Sequence, residues 1–74
     1  MMRTPTPAQI DALAGWWKGK GSNVKAAALL GRSPQTIRNT LCLFRQLEGV
    51  DSNLDLAMRY LEQIKERDLI GRAA

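Results

Sequence analysis

Glycine residues divide this chain into short helical segments, and that division is the strongest constraint on its fold. The breaks are GKG at 19–21, Gly31 and Gly49, with polar stretches around them. Between the breaks, apolar side chains recur at intervals of three and four residues, the period of one face of an α-helix. The sequence therefore predicts an all-α, four-helix compact domain over residues 1–74, with helices at about 7–18, 23–30, 34–47 and 52–68.

Residues that begin helices precede these segments. Thr6 and Ser33 are each followed by a proline, and a Ser or Thr N-cap before a proline at the first helical position is a typical helix start. Gln9 follows Thr6 by three residues and predicts a capping box, as Asp55 does after Ser52. The joints between the helices are therefore predicted to be short.

The positive charge of the chain is concentrated in its middle. The net charge is +4, yet the window 12–47 holds six Lys or Arg residues and no acidic residue. That window is thus +6, and the rest of the chain sums to −2. A local basic field favours a polyanion such as nucleic acid or an anionic membrane, although a solvated basic surface is the simpler alternative.

Several classes of function lack the residues they need. The chain has no His and a single cysteine, so we expect no internal disulfide, no metal site and no cofactor. Cys42 has no activating His or carboxylate near it in the sequence, and we do not expect an enzyme. No apolar run approaches the roughly 20 residues that cross a bilayer, and the N-terminus lacks a signal-peptide core. A cytoplasmic location is expected.

The second and third segments form a recognisable pattern. Only Gly31, Arg32 and Ser33 separate the segment 23–30 from the segment 34–47. A short helix, a glycine-containing turn and a second helix with a polar outer side are typical of a helix-turn-helix. In such motifs the second helix enters the major groove of DNA, and its N-terminal residues reach base edges. Many similar helix pairs bind nothing, so this alternative stays open.

The stretch SNVKAAALLGRSPQTIRNTL, residues 22–41, resembles the LuxR/GerE-type helix-turn-helix family of bacterial transcription regulators. That family typically has a Ser-Asn pair, an alanine, Leu-Gly at the turn, a serine and then Thr-Val-Arg followed by Asn or Lys. The matching residues here are Ser22-Asn23, Ala27, Leu30-Gly31, Ser33 and Thr36-Ile37-Arg38-Asn39. TPAQIDAL upstream and GVDSNLDLA downstream are also similar, so the resemblance covers about residues 4–62. The promoter-reading domain of a sigma factor and a recombinase DNA-binding domain are related alternatives.

The resemblance implies a role for each polar residue of the motif. Positions 38, 39 and 42 would face the groove, so the predicted base contacts are Arg38, Asn39 and Cys42. Arginine can bond guanine twice, and asparagine can pair with adenine. The predicted phosphate contacts, which position without specifying sequence, are Ser22, Lys25, Arg32, Gln35, Thr36 and Arg45. Trp16 either packs at the edge of the first helix or stacks on a base or sugar.

The last helix has two alternative uses. It either closes the bundle or, as the resemblance implies, forms a dimer interface. The residues predicted for that interface are Leu54, Ala57, Met58, Leu61, Ile64 and Lys65. We expect Ile64 to lie beyond the reach of the first three helices and Leu54 to be buried near Val50. A two-fold dimer would place two recognition helices about 34 Å apart on an inverted repeat.

These observations leave three hypotheses about function. The first is a sequence-specific transcriptional regulator that binds double-stranded DNA, with the recognition helix 34–47 in the major groove of an inverted repeat and the protein as a homodimer. The second is a small adaptor or anti-regulator that docks on RNA polymerase or another transcription factor. The third, a basic amphipathic protein on a membrane surface, is the weakest, because the cations do not flank a wide apolar face.

Overall fold

A computed structural model describes residues 4–67, which form five helices. Their bounds are α1, Pro7–Lys18; α2, Asn23–Leu30; α3, Pro34–Glu48; α4, Asn53–Arg59; and α5, Leu61–Glu66. The first three agree with the predicted segments to within one residue. The all-α prediction is confirmed for these residues, which have a radius of gyration of 11.2 Å. No helix among them is both long enough and apolar enough to cross a membrane.

The predicted start and stop signals act as expected. The Thr6 hydroxyl accepts a hydrogen bond from the Gln9 N–H at 3.2 Å, and the Gln9 side chain accepts one from the Thr6 N–H at 2.9 Å, which completes the capping box. Ser33 accepts from the N–H of Thr36 at 3.1 Å and caps α3. Gly31 has φ +65°, a left-handed conformation that favours glycine and ends α2.

The core lies around α1, which packs against each of the other four helices. Ile37, Leu41 and Phe44 are at most 2% exposed, so the inward stripe predicted for α3 is confirmed. The buried apolar set is Ile10, Ala12, Leu13, Ala14, Ala26, Ala27, Ile37, Leu41, Phe44, Leu56, Ala57 and Ile64. This set contains residues from all five helices, so every helix contributes side chains to the core.

The predicted single helix over 52–68 is wrong, because α4 and α5 are separated at Tyr60. Tyr60 has φ −116° and ψ 25°, and its N–H is shared between the carbonyls of Leu56 and Ala57. Its ring lies 5.4 Å from that of Phe44, centroid to centroid. The change of direction carries α5 back onto α1, where a straight continuation of α4 would leave the core. The part of the prediction beyond residue 67 lies outside the described residues.

The burial in the last segment is also the reverse of the expectation. Ile64 is 0% exposed and Leu54 is 55% exposed, the opposite of the prediction. Ala57 is also 0% exposed, so the assignment of Ala57 and Ile64 to a dimer interface is wrong, because both side chains already fill the core of one chain. Of the other predicted interface residues, Met58 and Lys65 are exposed and Leu61 is half-buried.

Candidate nucleic-acid interface

The joint between α2 and α3 is tightly organised by the backbone. The N–H groups of Gly31 and Arg32 both donate to the carbonyl of Ala27, and the second of these bonds is 3.0 Å long. These bonds satisfy carbonyl groups that the end of a helix leaves without partners. Ala27 and Ile37 are buried on either side of the joint. The direction in which α3 leaves α2 is therefore determined by both the turn and the core.

The side of α3 that faces away from the core is polar. Gln35, Arg38 and Asn39 are exposed and Cys42 is half-buried; we call these four residues the outer stripe. Their spacing of three, four and seven residues from Gln35 places them on one face of the helix. Successive residues turn by about 100° around the axis, so this face lies opposite the buried stripe that begins at Ile37. The structure therefore brings together the three residues predicted to contact bases.

A side-chain hydrogen bond links two members of the outer stripe. The Gln35 Nε2 donates to the Asn39 Oδ1 at 3.0 Å. Sequence reasoning missed this pair and assigned Gln35 to phosphate, although glutamine four residues before asparagine is a known stabilising pair on a helix. At the far end of the same face, the Gln46 Nε2 lies 3.8 Å from the Cys42 Sγ, a weaker contact. No partner in the described residues covers this face of α3.

Most of the predicted phosphate contacts lie around the start of the two motif helices. Lys25 and Arg32 are exposed cations. Ser22 caps α2 by accepting from the N–H of Lys25 at 3.2 Å, so part of its hydrogen-bonding capacity is already used. Thr36 is exposed, and its hydroxyl lies 2.8 Å from that of Ser33. Arg32 and the hydroxyl groups of Ser33 and Thr36 thus lie at the N-terminal end of the outer stripe, whereas Ser22 and Lys25 lie at the start of α2.

Arg45 has a structural contact in addition to its predicted one. Its guanidinium donates to the Asn53 Oδ1 and is half-buried. The bond joins the end of α3 to the first residue of α4 and uses one of the five N–H donors of the guanidinium. The phosphate contact of Arg45 stays a prediction. No pattern in the sequence indicated Asn53 as its partner.

A shallow groove of about 240 Å³ lies between α1 and α3. Arg32 and Thr36 line one wall, and Asp11 lines the other. The carboxylate of Asp11 lies 3.5 Å from the guanidinium of Arg67, and its side chain is only 16% exposed. The one acidic residue in this groove is thus largely covered and paired, so the wall formed by Arg32 keeps its positive character.

A second, more open groove of about 450 Å³ is mainly apolar. It is lined by Trp16, Trp17, Lys20, Gly21 and Leu54. Both tryptophans are half-buried and pack against the core, so Trp16 belongs to the edge of α1, as one of its two predicted alternatives required. Leu54 at this groove and Met58 one turn later, 55% and 58% exposed, leave an apolar strip on α4.

Comparison with models of known protein families, with curated proteins and with solved structures finds no match for this chain. Within residues 4–67, no three His, Cys, Asp or Glu side chains are grouped so that they could hold a metal ion. The geometry and charge of the α2–α3 surface are therefore the observations that bear on function.

Proposed function

We propose that this chain is a sequence-specific DNA-binding transcriptional regulator, with α2 and α3 as a helix-turn-helix and α3 in the major groove. The observation that carries the proposal is the outer stripe, a polar face on a helix whose opposite face is anchored in the core. A solvated surface helix needs no particular neighbours, whereas this face begins beside a capped N-terminus, directly after the exposed Arg32. That arrangement suits base contacts in the groove with phosphates on either side.

Charge supports the same proposal. The six cations of the window 12–47 are not offset by any acidic residue there. Those on the α2–α3 surface, Lys25, Arg32 and Arg38, are exposed, so they are free to displace counterions from a phosphate backbone. The acidic residues lie mainly on α4, α5 and the joint before them, where Arg59, Lys65 and Arg67 offset most of their charge. The part of the α2–α3 surface within the window 12–47, which has cations and no acidic residue, is therefore the part of the domain that attracts a polyanion.

The proposal includes a homodimer that binds an inverted repeat. Leu54 and Met58 form an exposed apolar strip at i and i+4 on α4, and Leu61 is half-buried beyond it. Covering such a strip with the same strip of a second copy would remove apolar surface from water. The second recognition helix would then lie about one DNA turn, or 34 Å, from the first. The interface of this proposal is the apolar strip of Leu54, Met58 and Leu61; Ala57 and Ile64 are buried in the core, and the exposed Lys65 lies outside the strip.

Affinity for duplex DNA across a salt series tests the proposal. Parent protein should lose affinity steeply between about 50 and 200 mM salt, because several phosphate contacts release counterions. Lys25→Gln should weaken binding and flatten the slope of log affinity against log salt by about one. Lys65→Gln removes the same charge from exposed α5 and is the matched control. A shallow slope, or equal effects of the two variants, would reject the DNA-binding surface.

A second candidate function is supported by exposed leucines on α3. Leu43 and Leu47 are 53% and 42% exposed at i and i+4, to one side of the outer stripe. Such a strip fits an adaptor or anti-regulator that docks on RNA polymerase or another transcription factor. Binding of that kind would be weakly salt-dependent and lost in Leu43→Ser. DNA binding retained in Leu43→Ser, with a steep salt slope, would favour the first function.

A further inference from the structure

We propose that Gln35, and not Asn39, is the residue that reads adenine. We also propose that the hydrogen bond between the two side chains couples their contacts with the bases. This inference rests on the proposed function. Gln35 lies one turn before Asn39, near the N-terminal end of α3, and both side chains are exposed. The N-terminal residues of a recognition helix are the ones that reach base edges.

The hydrogen bond between the two side chains uses the carbonyl oxygen of one amide and the nitrogen of the other. The Asn39 Oδ1 accepts from the Gln35 Nε2 at 3.0 Å. Reading adenine requires one amide to accept from N6 and donate to N7 at the same time. The Asn39 Oδ1 already accepts one bond directed along the helix, which leaves it a single lone pair for N6 of adenine, so this amide is less free than Gln35 to supply the acceptor.

Gln35 retains both groups that adenine needs. An amide nitrogen has two hydrogens, and only one points at Asn39, while the Oε1 has no protein partner among the described contacts. The free oxygen and the second N–H can therefore bond N6 and N7 of one adenine. Asn39 presents its own NH₂ group, a pure donor that fits the acceptors of a neighbouring guanine or thymine.

The bond also reduces the cost of ordering these side chains. A free glutamine loses considerable rotamer freedom when it is immobilised at an interface. Here the i, i+4 bond restrains both amides before DNA arrives. Removing either side chain should therefore disturb the base preference of the other, which independent contacts would not show.

The test starts from a preferred site selected by the parent protein from a random duplex pool. Affinities are then measured on duplexes that carry each of the four bases at every position. Gln35→Ala should abolish a preference for adenine at one position, about 5- to 150-fold in affinity. Gln35→Glu should shift the preference at that position toward cytosine, because a carboxylate accepts from N4 of cytosine and cannot donate to N7.

Asn39→Ala and the double variant measure the coupling. The combined loss should be smaller than the product of the single losses by more than about 2-fold, the usual limit for independent sites. Gln46→Ala, on the same face of α3, is the control and should leave the preference unchanged. Circular dichroism should show unchanged helicity for all of these exposed substitutions.

Two results would overturn the inference alone. One is a Gln35→Ala variant that binds all four duplexes more weakly by the same factor, which would make Gln35 a phosphate contact. The other is a double variant whose loss of affinity equals the product of the two single losses, because the two side chains would then act independently. A parent protein that selects no site from the pool would overturn both this inference and the proposed function.

Discussion

At Gly15 the helices α1 and α2 lie so close together that a methyl group would be in tight contact with α2. A Cβ at this position would lie 3.1 Å from the Leu30 Cδ1 and 3.3 Å from the Ala26 Cβ. Both neighbours belong to α2, and Ala26 is fully buried. The small residues of the α1–α2 contact therefore set the position of the first motif helix.

Overpacking in Gly15→Ala is expected to cost about 1–3 kcal/mol, because Leu30 and Ala26 must shift to admit the methyl group. The helix preference of alanine over glycine, about 1 kcal/mol, opposes this, so we expect a net destabilisation of about 0–2 kcal/mol. Urea unfolding followed by circular dichroism measures it. Val24→Ala, at a 66% exposed position of α2, is the control and should change stability little. A stabilised Gly15→Ala variant would show that the two helices can separate freely.

Arg38 is expected to read a base, in contrast to the phosphate contact of Lys25. Arg38→Ala should cost about 1–3 kcal/mol on the preferred site and less on random duplex DNA. Lys25→Gln should weaken both by a similar factor. The comparison needs only competition binding at one salt concentration. Equal losses of Arg38→Ala on both duplexes would assign this guanidinium to the phosphate backbone.

At the scale of the element, the break at Tyr60 decides what the end of the chain does. It divides an apolar stripe that the sequence presents as continuous, and α5 then packs on α1. Leu56, Ala57 and Ile64 are in the core, whereas Leu54 and Met58 are exposed. Two contacts join the C-terminal end of α5 to α1. Lys18 donates to the Arg67 carbonyl, and the Arg67 guanidinium pairs with Asp11. The last turn is thus part of the folded unit.

Substitutions at 54 and 64 should have opposite effects. Ile64→Ala should cost about 2–5 kcal/mol of stability, because it leaves a cavity in the core. Leu54→Glu should change stability by no more than about 0.5 kcal/mol, because the side chain is exposed. Denaturant unfolding of the two variants checks this. If Leu54→Glu unfolds and Ile64→Ala does not, the last segment is a straight helix.

Tyr60 makes the stability of the domain depend on pH in the alkaline range. Burial, the hydrogen bond to Glu48 and the charge of Glu48 raise its pKa above the ordinary 10.0, and Arg59 opposes this in part. The unfolded chain therefore loses the phenol proton first. The stability that this residue contributes is complete below pH 10.0 and falls as pH rises through the folded pKa.

Tyr60→Phe should remove that contribution, so the fall in unfolding free energy above pH 10.0 becomes shallower than in the parent. Thermal unfolding at several values of pH from neutral to 11 measures the difference. The control is the part of this range below pH 10.0, where the stability of both proteins should respond to pH in the same way. Parallel curves above pH 10.0 would exclude a raised pKa at Tyr60.

At the scale of the whole molecule, the cationic α2–α3 surface and the apolar strip on α4 belong to different parts of one small domain. If the strip joins two copies, two α3 helices contact one DNA site and the second contact becomes intramolecular. The outer stripe alone can bind only one half-site. The strength of specific binding therefore depends on both surfaces.

Leu54→Glu is expected to give a folded monomer whose affinity for an inverted repeat falls by about 100-fold or more, while its affinity for a single half-site is unchanged. Sedimentation and competition binding measure the two quantities. Lys65→Gln, on the neighbouring helix, should leave the oligomeric state intact. A parent protein that is monomeric when bound to DNA at micromolar concentration would contradict the dimer.

Local chemistry by itself determined the first three helices. Thr6, Ser33, Gly31 and Gly49 act through their own caps and backbone angles, and the stripe from Ile37 to Phe44 needs only the helical period. The exposed position of Arg38 and Asn39 follows from the same period. These features depend on residues within one or two turns, so they can be predicted from sequence.

Contacts between distant residues decided the rest. The break at Tyr60 reflects packing against Phe44, sixteen positions earlier, and no proline or glycine marks it. Arg45 bonds Asn53 across the joint between α3 and α4, and Ile64 is a core residue because α5 returns to α1. The apolar spacing of the last segment fits either a bundle or a dimer, and only the three-dimensional path of the chain determines which side chains are buried.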